Sequence, residues 1–274
     1  MNGFSCMSSN PPVVLCLSGH DPTGGAGIQA DIETLRALDC HPATIITALT
    51  VQDTFDVQGV YPQTPENFLA QARCLLADLP VAVIKIGLLG SADIAEAVMT
   101  LLDEAGPLPV VLDPILAAGG GHPLASERLM NVLVSRVIPC STVITPNTPE
   151  ARRLSGRQSP DDCASVLRAM GCPHVVLTGT HEHAEEVVNR WYSEAGRVDG
   201  RWPRLPGSYH GSGCTLASAL AAGLARGLPM AEAVAGAQRF AWEALRNGFS
   251  VGRGQHLPHR NFSFSTMQTT RDIK

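Results

Sequence analysis

VAVIKIGLLGSADIAEAVMTLLDEAGPLPVVLD, residues 81–113, holds the unit on which the fold turns. Residues 81–87 are a short run rich in valine and isoleucine, 91–105 read as a helix, and 109–113 return to the strand pattern. A strand, a helix and a second strand in so short a span make a crossover, the connection that parallel strands require.

Outward from it the alternation continues. Strands are expected at 13–18, 43–50, 141–146 and 174–179, and helices at 28–38, 65–77, 124–137, 148–155, 160–170, 211–226 and 230–247. The sum is an α/β fold, a mostly parallel central sheet with helices on both faces. Only 186–202 breaks the rhythm, where two short runs around Ala195-Gly196 predict an antiparallel hairpin at one edge. No linker interrupts 13–260, which reads as one domain between polar, unpatterned tails at 1–12 and 261–274.

Composition narrows the function. A chain of 274 residues, 45% hydrophobic and carrying a formal charge of -5 with dispersed basic residues, offers nucleic acid no electrostatic footing. It has no run of about 18 uncharged apolar residues to span a membrane, and its opening MNGFSCMSSNPP lacks the pattern of a signal peptide. Its eight cysteines form no Cys-x-x-Cys pair, and several sit in apolar runs such as VVLCLS, so a reducing, cytoplasmic setting is expected. Small-molecule chemistry remains.

In such sheets ligands lie beyond the carboxyl ends of the strands, and four loops there are unusual. In SGHDPTGGAGIQAD (18–31), Gly24, Gly25 and Gly27 let bare backbone approach a ligand, and Asp31 projects from the following turn. The same glycines also suit a plain tight turn. They make neither a Walker loop nor a dinucleotide fingerprint, which counts against a NAD enzyme. Asp113 ends a strand ahead of Gly119-Gly120-Gly121, and ITPNTPE sets Asn147 three residues before Glu150. These oxygens suit Mg²⁺, as a nucleotide kinase requires, and Asn147 with Glu150 equally suits a capping box. In YHGSGCTLASALAAGLARG (209–227), glycines open a helix whose free N–H groups make an anion site. Cys214 in that first turn is either a small packing residue or a thiol whose pKa the helix end lowers toward neutrality.

Taken in order, GHDPTGGAGIQAD, ITALTVQDT, KIGLLGS, LDPIL, ITPNTPEA and HGSGCTLASALAAGLARG resemble the ribokinase-like superfamily. Within it they are similar, over about residues 13–257, to the hydroxymethylpyrimidine and phosphomethylpyrimidine kinases of thiamine biosynthesis. The resemblance implies a three-layer α/β/α fold, ATP and Mg²⁺ as cofactors, and a homodimer. It implies successive phosphorylation of 4-amino-5-hydroxymethyl-2-methylpyrimidine and its monophosphate. By the same resemblance, the backbone of Gly211, Ser212, Gly213 and Cys214 forms an anion hole, with Cys214 as base. The pyrimidine would lie near Gly19, Asp31, Thr50, Gln52, Leu88 and Ile115, the Gln52 amide both donating and accepting. Mg-ATP would be handled by Asp113, Asn147 and Glu150, with Asp113 and Glu150 reaching the metal through water and Thr178 and Gly179 beside the nucleotide.

Three departures from the family pattern bear on detail. Leu88 stands where a methionine is usual, TGTHEH (178–183) replaces a stretch with a lysine, and the triple glycine replaces a more polar turn. His181 and His183 lack a third ligand for a metal. A pyridoxal or pyridoxine kinase and a non-catalytic pyrimidine-binding relative are the competing expectations.

Overall fold

The computed structural model describes residues 10–182 and 184–261. The expected tails therefore lie outside the described residues, apart from 10–12 and 261, as does His183. The strands are β1 (Val13–His20), β2 (His41–Gln52), β3 (Val57–Pro62), β4 (Val81–Ile86), β5 (Val110–Leu112), β6 (Val143–Ile144), β7 (His174–Leu177), β8 (Glu186–Ser193) and β9 (Gly196–Pro203). They form one sheet in the order β3-β2-β1-β4-β5-β6-β7-β8-β9. From β2 to β7 every neighbouring pair is parallel. β8 and β9 add the expected antiparallel hairpin, turning at Glu194-Ala195 ahead of Gly196.

The opposite edge differs from expectation. β3 folds back antiparallel on β2, so both edges of the sheet are antiparallel. VQGVYP is short, contains a glycine and ends in proline, features that weaken a strand pattern read alone. Its ladder with Ala48–Gln52 makes it a strand. The helix expected over 124–137 is also shorter and less regular: α4 (Glu127–Val132) runs into a π-helical turn over Leu133–Val137.

The remaining helices are α1 (Gly27–Ala37), α2 (Pro65–Asp78), α3 (Ala92–Ala105), α5 (Thr148–Ser155), α6 (Pro160–Ala169), α7 (Ser212–Ala225) and α8 (Met230–Arg246). Alternate residues of β1 serve opposite faces. Leu15 and Leu17 pack with Phe68 of α2, Ile94 and Val98 of α3 and Leu167 of α6, whereas Val14 and Cys16 pack with Ile28 of α1, Leu220 of α7 and Phe240 of α8. Each fully buried aliphatic or aromatic side chain stabilises the fold by about 1.5–3 kcal/mol. This is the three-layer α/β/α arrangement. The chain leaves β1 for β2 on one side and returns to β4 on the other, so the carboxyl ends of β1 and β4 flank the switch point of the sheet.

Candidate active site

Beyond His20, the end of β1, the chain folds around one carboxylate. Asp21 Oδ1 accepts hydrogen bonds from Thr23 N and Oγ1, both at 2.8 Å. Its Oδ2 accepts from Ala26 N at 2.7 Å and lies 2.8 Å from His210 Nε2. Burial pushes the Asp21 pKa up, but His210 and Thr23 outweigh it and hold the carboxyl below its ordinary value. Asp21 thus shapes the glycine loop and ties it to the segment leading into α7. Gly27 is required there, since its φ is +58° and a Cβ would meet the Gly19 carbonyl oxygen at 2.3 Å.

The turn at Gly211–Cys214 opens α7 as expected. Side chains cap α2 through α6 (Thr64, Ser91, Ser126, Asn147 and Ser159), but none caps α1, α7 or α8. The first amides of α7 therefore keep their capacity to bind an anion. Gly211 and Gly213 are glycines for different reasons. Gly211 has φ +78° and its Cβ would sit 1.9 Å from Gly25 O, so the fold itself excludes a side chain. A Cβ on Gly213 would meet nothing nearer than the Asp113 carboxylate at 3.6 Å, so room is left over the turn.

Cys214 corrects an expectation. Its thiol is buried, and burial pushes its pKa up to about 12; Lys85 opposes the shift, while Asp113 and Asp31 add to it. The helix end does not lower it below the ordinary value, because lost hydration dominates.

Asp31 supplies a second correction. It is fully buried, with its two oxygens 2.8 and 3.0 Å from Lys85 Nζ and a third bond, at 2.6 Å, from Ser218 Oγ of α7. It faces the interior between α1, β4 and α7, not a bound pyrimidine. Burial would lower the pKa of Lys85, but Asp31 and nearby Cys214 and Asp113 raise it above the ordinary value, so the lysine is charged.

Asp113 and Glu150 meet at the ends of β5 and β6. Asp113 is 4% exposed, and its Oδ2 has no hydrogen-bond partner among the described residues. Burial pushes its carboxyl up to about 6. The Asn147–Glu150 capping box is real: Glu150 N donates to Asn147 Oδ1 and Asn147 N to Glu150 Oε2, each at 2.9 Å. Glu150 Oε1 also accepts from Leu116 N at 3.3 Å. Burial, then the charge of Asp113, pushes Glu150 up to about 8. Two buried carboxyl groups, of which Asp113 has Lys85 nearby as a counter-charge but keeps one oxygen without a partner among the described residues, suit a hard divalent cation. Among the described residues no three His, Cys, Asp or Glu side chains form a complete metal cluster. Two carboxylates fit Mg²⁺, which usually keeps water and phosphate among its ligands.

The other candidates line the same rim. Thr50 Oγ1 donates to His20 O at 2.8 Å and accepts from Gln52 Nε2 at 2.7 Å, which orients the glutamine. Gln52–Phe55 and Gly252–Arg253 border an open cleft of about 380 Å³. Gly19 and Leu88 are neighbours, a Cβ on Gly19 lying 2.8 Å from Leu88 Cδ2. Half-buried Ile115 follows, its N–H donating to Asp113 O at 2.9 Å. At the far end Thr178 N donates to Pro146 O at 2.9 Å, and Gly179 packs on β8, where a Cβ would meet Val188 O at 2.3 Å. Arg190 of β8 reaches this corner, bound to Glu182 at 2.7 and 2.9 Å. Ser212 stands with Gly211 and Gly213, half-buried.

Sequence reading missed Lys85, Asp21, His210 and Arg260. Lys85 had a visible signal: a lone lysine inside VAVIKI, buried on a central strand, demands a buried partner. Asp21 is held by the local partners Thr23 and Ala26, but His210, 189 residues from Asp21, and Arg260, 235 residues from Gly25, owe their positions to contacts that no local pattern announces.

Comparison with known proteins assigns the chain to a family. The phosphomethylpyrimidine kinase family profile matches residues 21–259. The thiamine biosynthesis bifunctional protein ThiED of Geobacter sulfurreducens is 38% identical over 247 residues, 88% of this chain; the chain spans only half the length of that relative. The hydroxymethylpyrimidine/phosphomethylpyrimidine kinase of Haemophilus influenzae is 35% identical over 94% of this chain and 100% of its own. In structure, the Bacillus subtilis pyridoxal kinase in an ADP complex superposes with a TM-score of 0.84 at 29% identity, covering 90% of this chain and 97% of its own. The fold is thus that of the vitamin kinases and the ribokinase-like superfamily, and the chain belongs to the phosphomethylpyrimidine kinase family.

Proposed function

We propose that this protein transfers the γ-phosphoryl group of ATP to the hydroxymethyl oxygen of 4-amino-5-hydroxymethyl-2-methylpyrimidine, and then to the resulting monophosphate, in thiamine diphosphate biosynthesis. The observation that carries the reading is the uncapped turn Gly211–Cys214 facing the unpartnered oxygen of Asp113. Backbone amides of the turn hold the transferring phosphoryl group, and Gly213 leaves space for it. Thr50 and Gln52, with Gly19, Leu88 and Ile115, hold the ring. Asn147, Thr178 and Gly179 border the nucleotide. Asp113 and Glu150 would hold Mg²⁺, and the metal would supply the positive charge that phosphoryl transfer requires. Cys214 receives the alcohol proton. Its thiol is protonated in the unloaded site, so this role belongs to the loaded enzyme, where added positive charge joins Lys85 in favouring the thiolate.

Residues 13–260 act as one domain, and the protein works as a homodimer in the cytoplasm. Leu49, Val51 and Tyr61 are large, exposed and adjacent on the β2–β3 edge, with Leu49 paired to Tyr61 across the ladder, an apolar surface suited to a second copy. No helix of the described residues is long and apolar enough to cross a membrane. The buried free cysteines Cys16, Cys40, Cys163, Cys172 and Cys214 suit a reducing compartment.

A second reading, a pyridoxal kinase, is favoured by the TM-score of 0.84 to such an enzyme. An ADP-release assay with the pyrimidine, with pyridoxine and with no acceptor separates the readings. Turnover is expected with the pyrimidine, continuing to the diphosphate when ATP is in excess. Turnover with pyridoxine alone would overturn the assignment, and no acceptor-dependent turnover at all would favour a binding protein.

A further inference from the structure

Arg260 is 2% exposed and stands among the largest fully buried side chains of the protein. Its guanidinium meets three parts of the chain. Nε donates to Thr215 Oγ1 at 2.8 Å, Nη1 to Glu33 Oε2 at 3.0 Å, and Nη2 to the Gly25 carbonyl. Thr215 Oγ1 in turn donates to Gly211 O at 2.8 Å. One side chain is therefore bonded directly to the glycine loop ahead of α1 and, through one hydroxyl, to the left-handed residue that opens α7. The two glycine segments touch at this point, with only 2.9 Å between a Cβ on Gly211 and Arg260 Nη2.

Helix stability does not account for this placement. The first turn of α7 is the positive end of its dipole, where a cation is disfavoured. Burying a guanidinium also costs hydration, and its carboxylate partner among the described residues, Glu33, is 51% exposed. What the position achieves is geometry. The segment before Arg260 reinforces it: Gln255 N donates to Thr54 O at 2.8 Å, His256 N to Ser208 O and His210 N to His256 O, each at 2.9 Å. The chain from Gly254 to Arg260 is a strap joining the loop beside Gln52, the approach to the α7 turn and the glycine loop.

We propose that Arg260 is a positioning residue for phosphoryl transfer: through Gly25 O and Thr215 it fixes the spacing between the glycine loop and the Gly211–Gly213 turn, and hence between the acceptor oxygen and the phosphoryl group. This rests on the role proposed above for that turn. Displacing a reacting group by about 1 Å costs on the order of 10²-fold in rate, so loss of the clamp acts on kcat, not on affinity.

The test compares Arg260→Lys, Thr215→Val and the double variant with the parent by steady-state ADP release, phosphorylated pyrimidine and thermal midpoint. Each single variant is expected to lose roughly 10- to 100-fold in kcat. KM for ATP and for the pyrimidine should stay within about threefold, because the ligands bind much as before. ADP release should exceed product formation as water competes for the loosened site. The double variant should be no worse than the poorer single one, since both break the same link. A folded Arg260→Lys with kcat within about twofold of the parent, or losses that multiply in the double variant, would overturn the proposal. If Arg260→Lys does not fold, Thr215→Val decides, and unchanged kcat there has the same force. Gly213→Ala and Cys214→Ala run alongside: if they too retain full turnover, the proposed role of the turn has failed, whereas a loss confined to them counts against Arg260 alone.

Discussion

Asp31 and Asp113 are both buried beneath the glycine turn of α7, and they are finished to different degrees. Asp31 is closed: Lys85 bonds both of its oxygens and Ser218 adds a third bond, so the folded chain supplies everything its charge needs. Asp113 is open. One oxygen has no partner among the described residues, its carboxyl is pushed up to about 6, and neighbouring Glu150 is pushed up to about 8. A polar group that the fold buries and leaves unpaired is tolerated where something else completes it. The carboxylate with every bond made belongs to the foundation, and we propose that the one left incomplete marks where a ligand arrives. Cys214 feels the charge of both.

The strongest way to break this contrast is at Lys85. Removing one member of a buried ion pair leaves the other charge uncompensated, so Lys85→Met should lose about 3–5 kcal/mol of stability. Lys85→Met combined with Asp31→Asn should recover part of the loss, because no bare charge remains. Urea unfolding of the parent and both variants measures this. A loss below about 1 kcal/mol for Lys85→Met would mean that Asp31 is not closed as described.

Next in size is Cys214. As proton acceptor it should matter for the alcohol and much less for the monophosphate, which is already largely ionised near neutral pH with a second pKa of about 6. Cys214→Ala is expected to fold, since alanine suits a helix, and to lose roughly 10²- to 10⁴-fold in the first phosphorylation. Gly213→Ala, which crowds the space over the turn, should damage both steps. A time course of mono- and diphosphate products by phosphorus NMR separates the two. Equal slowing of both steps in Cys214→Ala would place the thiol with Asp31 as foundation; turnover within about threefold of the parent would reduce it to packing.

The same contrast explains which features the sequence carried. Crossovers, the β8–β9 hairpin, the glycine turns and the Asn147–Glu150 box are local patterns, each written within a few tens of residues, and all are present. Asp31 misled because its place in the first turns of α1 suggested a ligand, while what claims it is Lys85, 54 residues on, and Ser218, 187 residues on. The thiol misled for a related reason: proximity to a helix end is local, but the burial that raises its pKa is made by layers packed from both ends of the chain. β3 was hidden because its pairing with β2, not its composition, makes it a strand.

The smallest effect is also the most direct reading of the open side. Glu150 has an ordinary value of 4.5 and rises to about 8 in the fold, and Asp113 goes from 3.8 to about 6. Between these limits the folded chain holds protons that the unfolded chain gives up, so stability falls as pH rises. The contribution is full below about pH 4 and is lost progressively, for Asp113 up to about 6 and for Glu150 up to about 8. Thermal midpoints from pH 5 to 8 at fixed ionic strength should therefore decline in the parent. Glu150→Gln keeps the shape and cannot ionise, so its decline should be shallower above pH 6, and it should need more Mg²⁺ for half-maximal turnover. Mg²⁺ with a non-hydrolysable ATP analogue supplies further positive charge, so the midpoint it adds should grow as pH rises in the parent and less so in the variant. A midpoint that is flat or rises with pH in the unliganded parent would mean that Asp113 and Glu150 are already completed within the fold. The difference between the two carboxylates would then lie in their partners alone, not in what the site still lacks. An unchanged Mg²⁺ requirement with lowered stability in Glu150→Gln would leave Glu150 as the cap of α5 and assign the metal to Asp113.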